Sequence, residues 1–81
     1  MREEQLKAIV LDTLQEMAPE MDPNAVSPDE DLRRALDIDS FDFLNVIIAL
    51  HEKLGVEIPE ADYGRLNTLS GMLAYLRDRM D

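Results

Sequence analysis

Ser40 is the hydroxyl whose neighbours suggest chemistry: it lies between Asp39 and Asp42, where helical periodicity resumes after a long irregular stretch. A serine there has two readings. Its hydroxyl can cap the helix by accepting an orphan backbone N–H, or it can carry a phosphodiester, because first-turn N–H groups and the helix dipole favour an anion. Local chemistry leaves both open. Nucleophilic catalysis fits poorly. The sole histidine, His51, lies eleven residues beyond Ser40 in the same expected helix, a separation of roughly 16 Å at about 1.5 Å rise per residue. His51 therefore reads as an exposed helix residue. With no Cys and no G-x-S-x-G elbow, a nucleophile and base pair is missing, and no catalytic residue is expected. The run Asp37-Ile38-Asp39-Ser40-Phe41-Asp42 opens like a calcium loop. It has Phe41 where an oxygen ligand belongs, Asp42 where the turn needs Gly, and Ile48 where a bidentate Glu is required, so no dedicated metal site is expected.

Three amphipathic segments must position these residues. Leu6, Ile9, Val10, Thr13, Leu14 and Met17 share one helix face and predict a helix from about Glu3 to Met17, ended by Ala18-Pro19 and Asp22-Pro23. The stretch from there to about Ile38 is long for a structureless loop in a small domain. Its expected helical turn begins at Ser27-Pro28-Asp29-Glu30, with a Ser cap, Pro at the first helical position and Glu at the capping-box position. The middle helix should run from Asp39-Ser40 to Leu54, with Gly55 as its left-handed terminator. Val56-Glu57-Ile58-Pro59 is too short and interrupted for a strand, Pro59 to Leu66 has room for another helical turn, and Thr68 can cap a last helix carrying Leu69, Met72, Leu73, Leu76 and Met80. The expected fold is all-α: a small bundle of three main helices plus one or two short helical turns.

The middle helix has two apolar groups. Phe43, Val46, Ile47, Leu50 and Leu54 form the natural core face, whereas Phe41, Leu44 and Ile48 fall about 120° away at about 100° per residue. That second stripe either shows a helix buried more than halfway round or a docking surface for partners.

Composition narrows the function classes. The 81 residues suit one domain spanning 1–81, and a formal charge of −10 disfavours nucleic acid and anionic membrane surfaces while favouring a partner with a basic surface. The acid lies more heavily in the first loop and around Ser40 than on the middle helix. No apolar run approaches the roughly 18 residues that span a membrane, and the N-terminal residues have neither an apolar signal region nor a transit-peptide composition. A soluble, cytoplasmic monomer is the expectation.

At Leu36-Asp37-Ile38-Asp39-Ser40-Phe41-Asp42-Phe43-Leu44, and again at Leu50-His51-Glu52-Lys53-Leu54-Gly55-Val56-Glu57-Ile58-Pro59, the sequence resembles the acyl carrier protein family. That family's pattern is an Asp-Ser-Leu motif opening the second of four helices, followed by a helix ending in a hydrophobic residue and an acidic turn containing Ile-Pro. The likeness extends to the N-terminal amphipathic helix, the Ser-Pro-Asp of the first loop and the last helix introduced by Thr68-Leu69. The resemblance implies that Ser40 carries 4′-phosphopantetheine, transferred from coenzyme A by a separate Mg²⁺-dependent phosphopantetheinyl transferase whose recognition Asp39 and Asp42 assist. It further implies that the prosthetic thiol holds acyl groups as thioesters. The chain itself would be no enzyme; acyl ligases, synthases or acyltransferases with basic docking surfaces would meet it at Phe41, Leu44, Ile48 and Glu52. Phe41 stands where the family usually has Leu, Asp37 where Gly is common, and Asn45, His51 and Lys53 where fatty-acid-synthesis carriers often have Glu. Lost rim charges change partner choice more than fold, which points to a specialised carrier for fatty acid, lipid or secondary metabolite biosynthesis. An aminoacyl or peptidyl carrier and an unmodified acidic interaction module are the alternatives.

Overall fold

The computed structural model describes residues 2–80. Helix α1, Glu3–Met17, packs Leu6, Val10, Thr13 and Leu14 inward and lies against both α3, Ser40–Leu54, and α4, Leu69–Met80. The core between them is continuous: Val10, Leu14, Val46, Leu50, Met72 and Leu76 have no accessible surface, each side chain contributing about 1.5–3 kcal/mol by leaving water. The expected all-α bundle of three main helices is present. Its short helical pieces number three among the described residues rather than one or two: Pro23–Ala25, α2 at Leu32–Ala35, and a 3-10 helix at Glu60–Leu66.

The turn expected to begin at Ser27 is not helical. Glu30 N–H donates to Ser27 O at 3.3 Å, closing a simple turn, while the Pro28 carbonyl is taken by Ser70 N–H at 2.9 Å. That bond pins the loop to the start of α4, and Leu32 N–H, the donor a helix would direct to the Pro28 carbonyl, goes to Asn67 O instead. Helix begins instead after Asp31, whose carboxylate accepts from the Arg33 and Arg34 amides. The same segment is tied back by Leu32 N–H donating to Asn67 O at 2.8 Å. Leu32, fully buried, then plugs the core from the loop side.

Two glycines are required by geometry. Gly55 ends α3 at φ 68°, a conformation that costs an L side chain strain. At Gly71 a Cβ would lie 2.6 Å from the Arg65 carbonyl oxygen, so close packing of α4 on the Glu60–Leu66 turn leaves no room for one. Thr68 caps α4 as expected, its Oγ1 accepting from Gly71 N–H at 3.0 Å.

The far side of α4 holds a polar cluster with no counterpart in the sequence reading. The Tyr75 hydroxyl donates to Asp62 Oδ2 at 2.7 Å, and Arg79 Nη2 donates to the same oxygen at 3.0 Å. Burial pushes the Tyr75 phenol above its ordinary range; the hydrogen bond to Asp62 acts in the same direction, against the opposing pull of Arg79 and Arg65.

Candidate functional site

Ser40 is the first residue of α3 and is exposed. The capping role open to it falls to Asp39, whose backbone is extended and whose Oδ1 accepts from Asp42 N–H at 2.8 Å. A carboxylate one residue earlier in the chain has the geometry and the charge to satisfy that amide. The Ser40 hydroxyl is thus released from backbone duty. Its one hydrogen-bonding contact among the described residues is with Arg33 Nη1, 3.5 Å away.

What positions Ser40 is the turn between α2 and α3. Ile38 N–H donates to Arg33 O at 3.0 Å and Asp37 N–H to Arg34 O at 3.3 Å, with Asp37 at φ 53°. This double closure around a left-handed residue is a Schellman motif. It explains why glycine is favoured at this position, and Asp is among the few other residues that tolerate it.

A cleft of about 280 Å³ opens beside the hydroxyl, lined by Arg33, Ser40, Phe43, Leu44, Ile47, Tyr63, Gly64 and Asn67. It shares Ile47 and Tyr63 with a second cleft of about 340 Å³ that reaches Ile48, His51, Ile58 and Pro59. Together they form a largely apolar path between α3 and the Glu60–Leu66 turn. A larger cavity of about 630 Å³ lies on the other flank, under the first loop, with Glu20, Asp22, Glu30, Asp37 and Asp42 in its wall.

The second apolar stripe of α3 is divided. Phe41 is 70% and Ile48 44% exposed, whereas Leu44 is half-buried and forms part of the cleft wall beside Ser40. Glu52 continues the stripe and is exposed; Asp39 is exposed and Asp42 half-buried. At the other end of α3, His51 is exposed as expected, yet its Nδ1 lies 2.7 Å from the Val56 carbonyl and braces the chain after Gly55. Lys53 Nζ donates to Thr13 Oγ1 and to both Glu16 carboxylate oxygens at 3.0 Å. Among the described residues no three His, Cys, Asp or Glu side chains converge to hold a metal ion. No described helix is long and apolar enough to cross a membrane.

A family model described as "Phosphopantetheine attachment site" matches residues 4–76. An acyl carrier protein of Thermosynechococcus vestitus is 35% identical over 77 residues, spanning 95% of this chain and 89% of the relative. The chain belongs to the acyl carrier protein family. An acyl carrier protein of Helicobacter hepaticus is 32% identical over 73 residues, 90% of each chain. The meromycolate extension acyl carrier protein of Mycolicibacterium aurum is 32% identical over 57 residues, covering 70% of this chain and 59% of the relative. Acyl carrier proteins are carriers rather than enzymes and bear a covalent 4′-phosphopantetheine. The residues of this carrier fit that group: an exposed hydroxyl without a capping task, a guanidinium beside it, and an apolar cleft at its foot.

Arg33 is the residue that sequence reasoning missed. Its signal was present, because Arg33 and Arg34 are the only cations between Lys7 and Lys53.

Proposed function

We propose that Ser40 is the attachment residue and that residues 1–81 act as one monomeric carrier domain in the cytoplasm. The observation that carries this reading is the division of labour at the start of α3: Asp39 caps the helix and leaves the Ser40 hydroxyl exposed. The other serine and threonine hydroxyls are less suited. Thr13 is buried, Thr68 caps α4, and Ser27 and Ser70 line neither of the two clefts beside α3. When bound, the arm supplies a thiol that holds an acyl group as a thioester.

The chain's own part is presentation. Asp39 and Asp42 flank the hydroxyl for the transferase, and Phe41, Ile48 and Glu52, with Leu44 at the cleft, form the surface that acyl ligases, synthases or acyltransferases meet. Exposed apolar area at Phe41 and Ile48 favours such docking. Asn45, His51 and Lys53 reduce the negative charge of that helix, while acids gather around the first-loop cavity. This distribution supports partners other than those of housekeeping fatty acid synthesis. Incubation with coenzyme A, Mg²⁺ and a broad-specificity transferase should add one phosphopantetheine to the intact mass, and Ser40→Ala should abolish the gain. The loaded carrier should then accept a fatty acyl group from an acyl ligase; acceptance of amino acids alone would make it an aminoacyl carrier and overturn the cargo assignment.

A further inference from the structure

We propose that Arg33 clamps the phosphodiester joining the prosthetic arm to Ser40; the inference rests on Ser40 being the attachment residue. The Schellman closure fixes the backbone of Arg33 against that of Ile38, two residues before Ser40. The guanidinium carbon sits 5.8 Å from the centroid of the Phe43 ring, within range of a cation–π attraction that favours this placement. From there Nη1 is 3.5 Å from Ser40 Oγ. That distance is long for a hydrogen bond to a hydroxyl, but an ester on Ser40 places phosphorus one bond beyond Oγ and its free oxygens one bond further. Oxygens that near to Oγ come within hydrogen-bond reach of the guanidinium.

Its competing partner is weak. Arg33 Nε is 3.9 Å from Asp31 Oδ1, an oxygen already accepting from the Arg33 and Arg34 amides. The fork of Arg33 therefore remains available for two parallel bonds to a phosphate. Charge supplies the need. Attachment adds a negative charge among Asp37, Asp39 and Asp42, and repulsion there would drive the arm outward. Arg33 offsets it and, because Arg33 and Ser40 line the same cleft, holds the base of the arm toward the apolar path rather than toward the acid-walled cavity of the first loop.

The test compares unloaded and phosphopantetheine-loaded forms of the wild type, Arg33→Gln and Arg34→Gln, with loading checked by intact mass. Absence of a mass gain in the wild type would defeat the Ser40 assignment rather than the clamp. In the loaded wild type, the Arg33 Nε–H signal should shift and exchange more slowly with water than in the unloaded form, and the phosphorus resonance should move in Arg33→Gln but not in Arg34→Gln. The change in Tm on loading should be less favourable in Arg33→Gln by about 2–5 °C at low salt, the scale of a partly exposed charge pair in a domain of this size. That difference should shrink in 1 M salt. An unmoved Arg33 Nε–H signal, or equal effects from Arg33→Gln and Arg34→Gln, would overturn the proposal, the latter because it would reduce the effect to net charge.

Discussion

The two ends of α3 are built on opposite plans. At the C-terminal end two polar side chains are tied into the fold: His51 braces Val56, Lys53 joins Thr13 and Glu16, and Gly55 turns the chain. At the N-terminal end Asp39 alone completes the backbone, leaving Ser40 and Phe41 exposed beside a cleft. One helix thus serves as scaffold at one end and leaves a hydroxyl free and exposed at the other. This arrangement also gives His51 and Lys53 a structural meaning, since each makes a contact within the chain.

The contrast can be tested by substitution, beginning with the apolar residues. Leu50→Ala should destabilise the chain by about 2–5 kcal/mol through transfer and cavity costs, whereas Phe41→Ala should change it by under about 0.5 kcal/mol. Urea midpoints would show both, and similar losses would mean that the second stripe is packed rather than exposed. At the helix start, Asp39→Ala should cost about 1 kcal/mol as a lost cap, while Ser40→Ala should leave thermal stability within about 0.5 kcal/mol. At the other end, Lys53→Met should cost about 0.5–1 kcal/mol at low salt. That cost should fall at high salt, because both Lys53 and Glu16 retain access to water. Thr13 would stay satisfied through its bond to the Ile9 carbonyl.

The smallest effect is expected outside α3. The Tyr75 phenol is raised in the folded chain, so its contribution is complete below the unfolded value of about 10 and is lost as pH rises through the folded value. Stability measured by urea unfolding should therefore decline above about pH 10, and Tyr75→Phe should remove that part of the decline.

The long helices were legible because their apolar spacing agrees with their caps: Glu3–Met17, Ser40–Leu54 and the Thr68 cap all match the pattern. The first loop was not. Ser27-Pro28-Asp29-Glu30 has good local helix-start chemistry, but a long-range bond from Ser70 to the Pro28 carbonyl prevails over it. Ser40 was recognisable as a candidate site from its acidic neighbours and downstream spacing, whereas its release from capping depended on which of two adjacent oxygens reached the Asp42 amide. Arg33 and the Tyr75–Asp62–Arg79 cluster escaped because their partners are set by packing between segments and not by periodicity.

Whether the N-terminal end of α3 bears the arm can be read directly by fragmenting peptides of the transferase-treated wild-type chain. The phosphopantetheine mass should localise to Ser40 alone. Its localisation to Ser27, Ser70 or any other hydroxyl, with Ser40 unmodified, would overturn attachment at the start of α3.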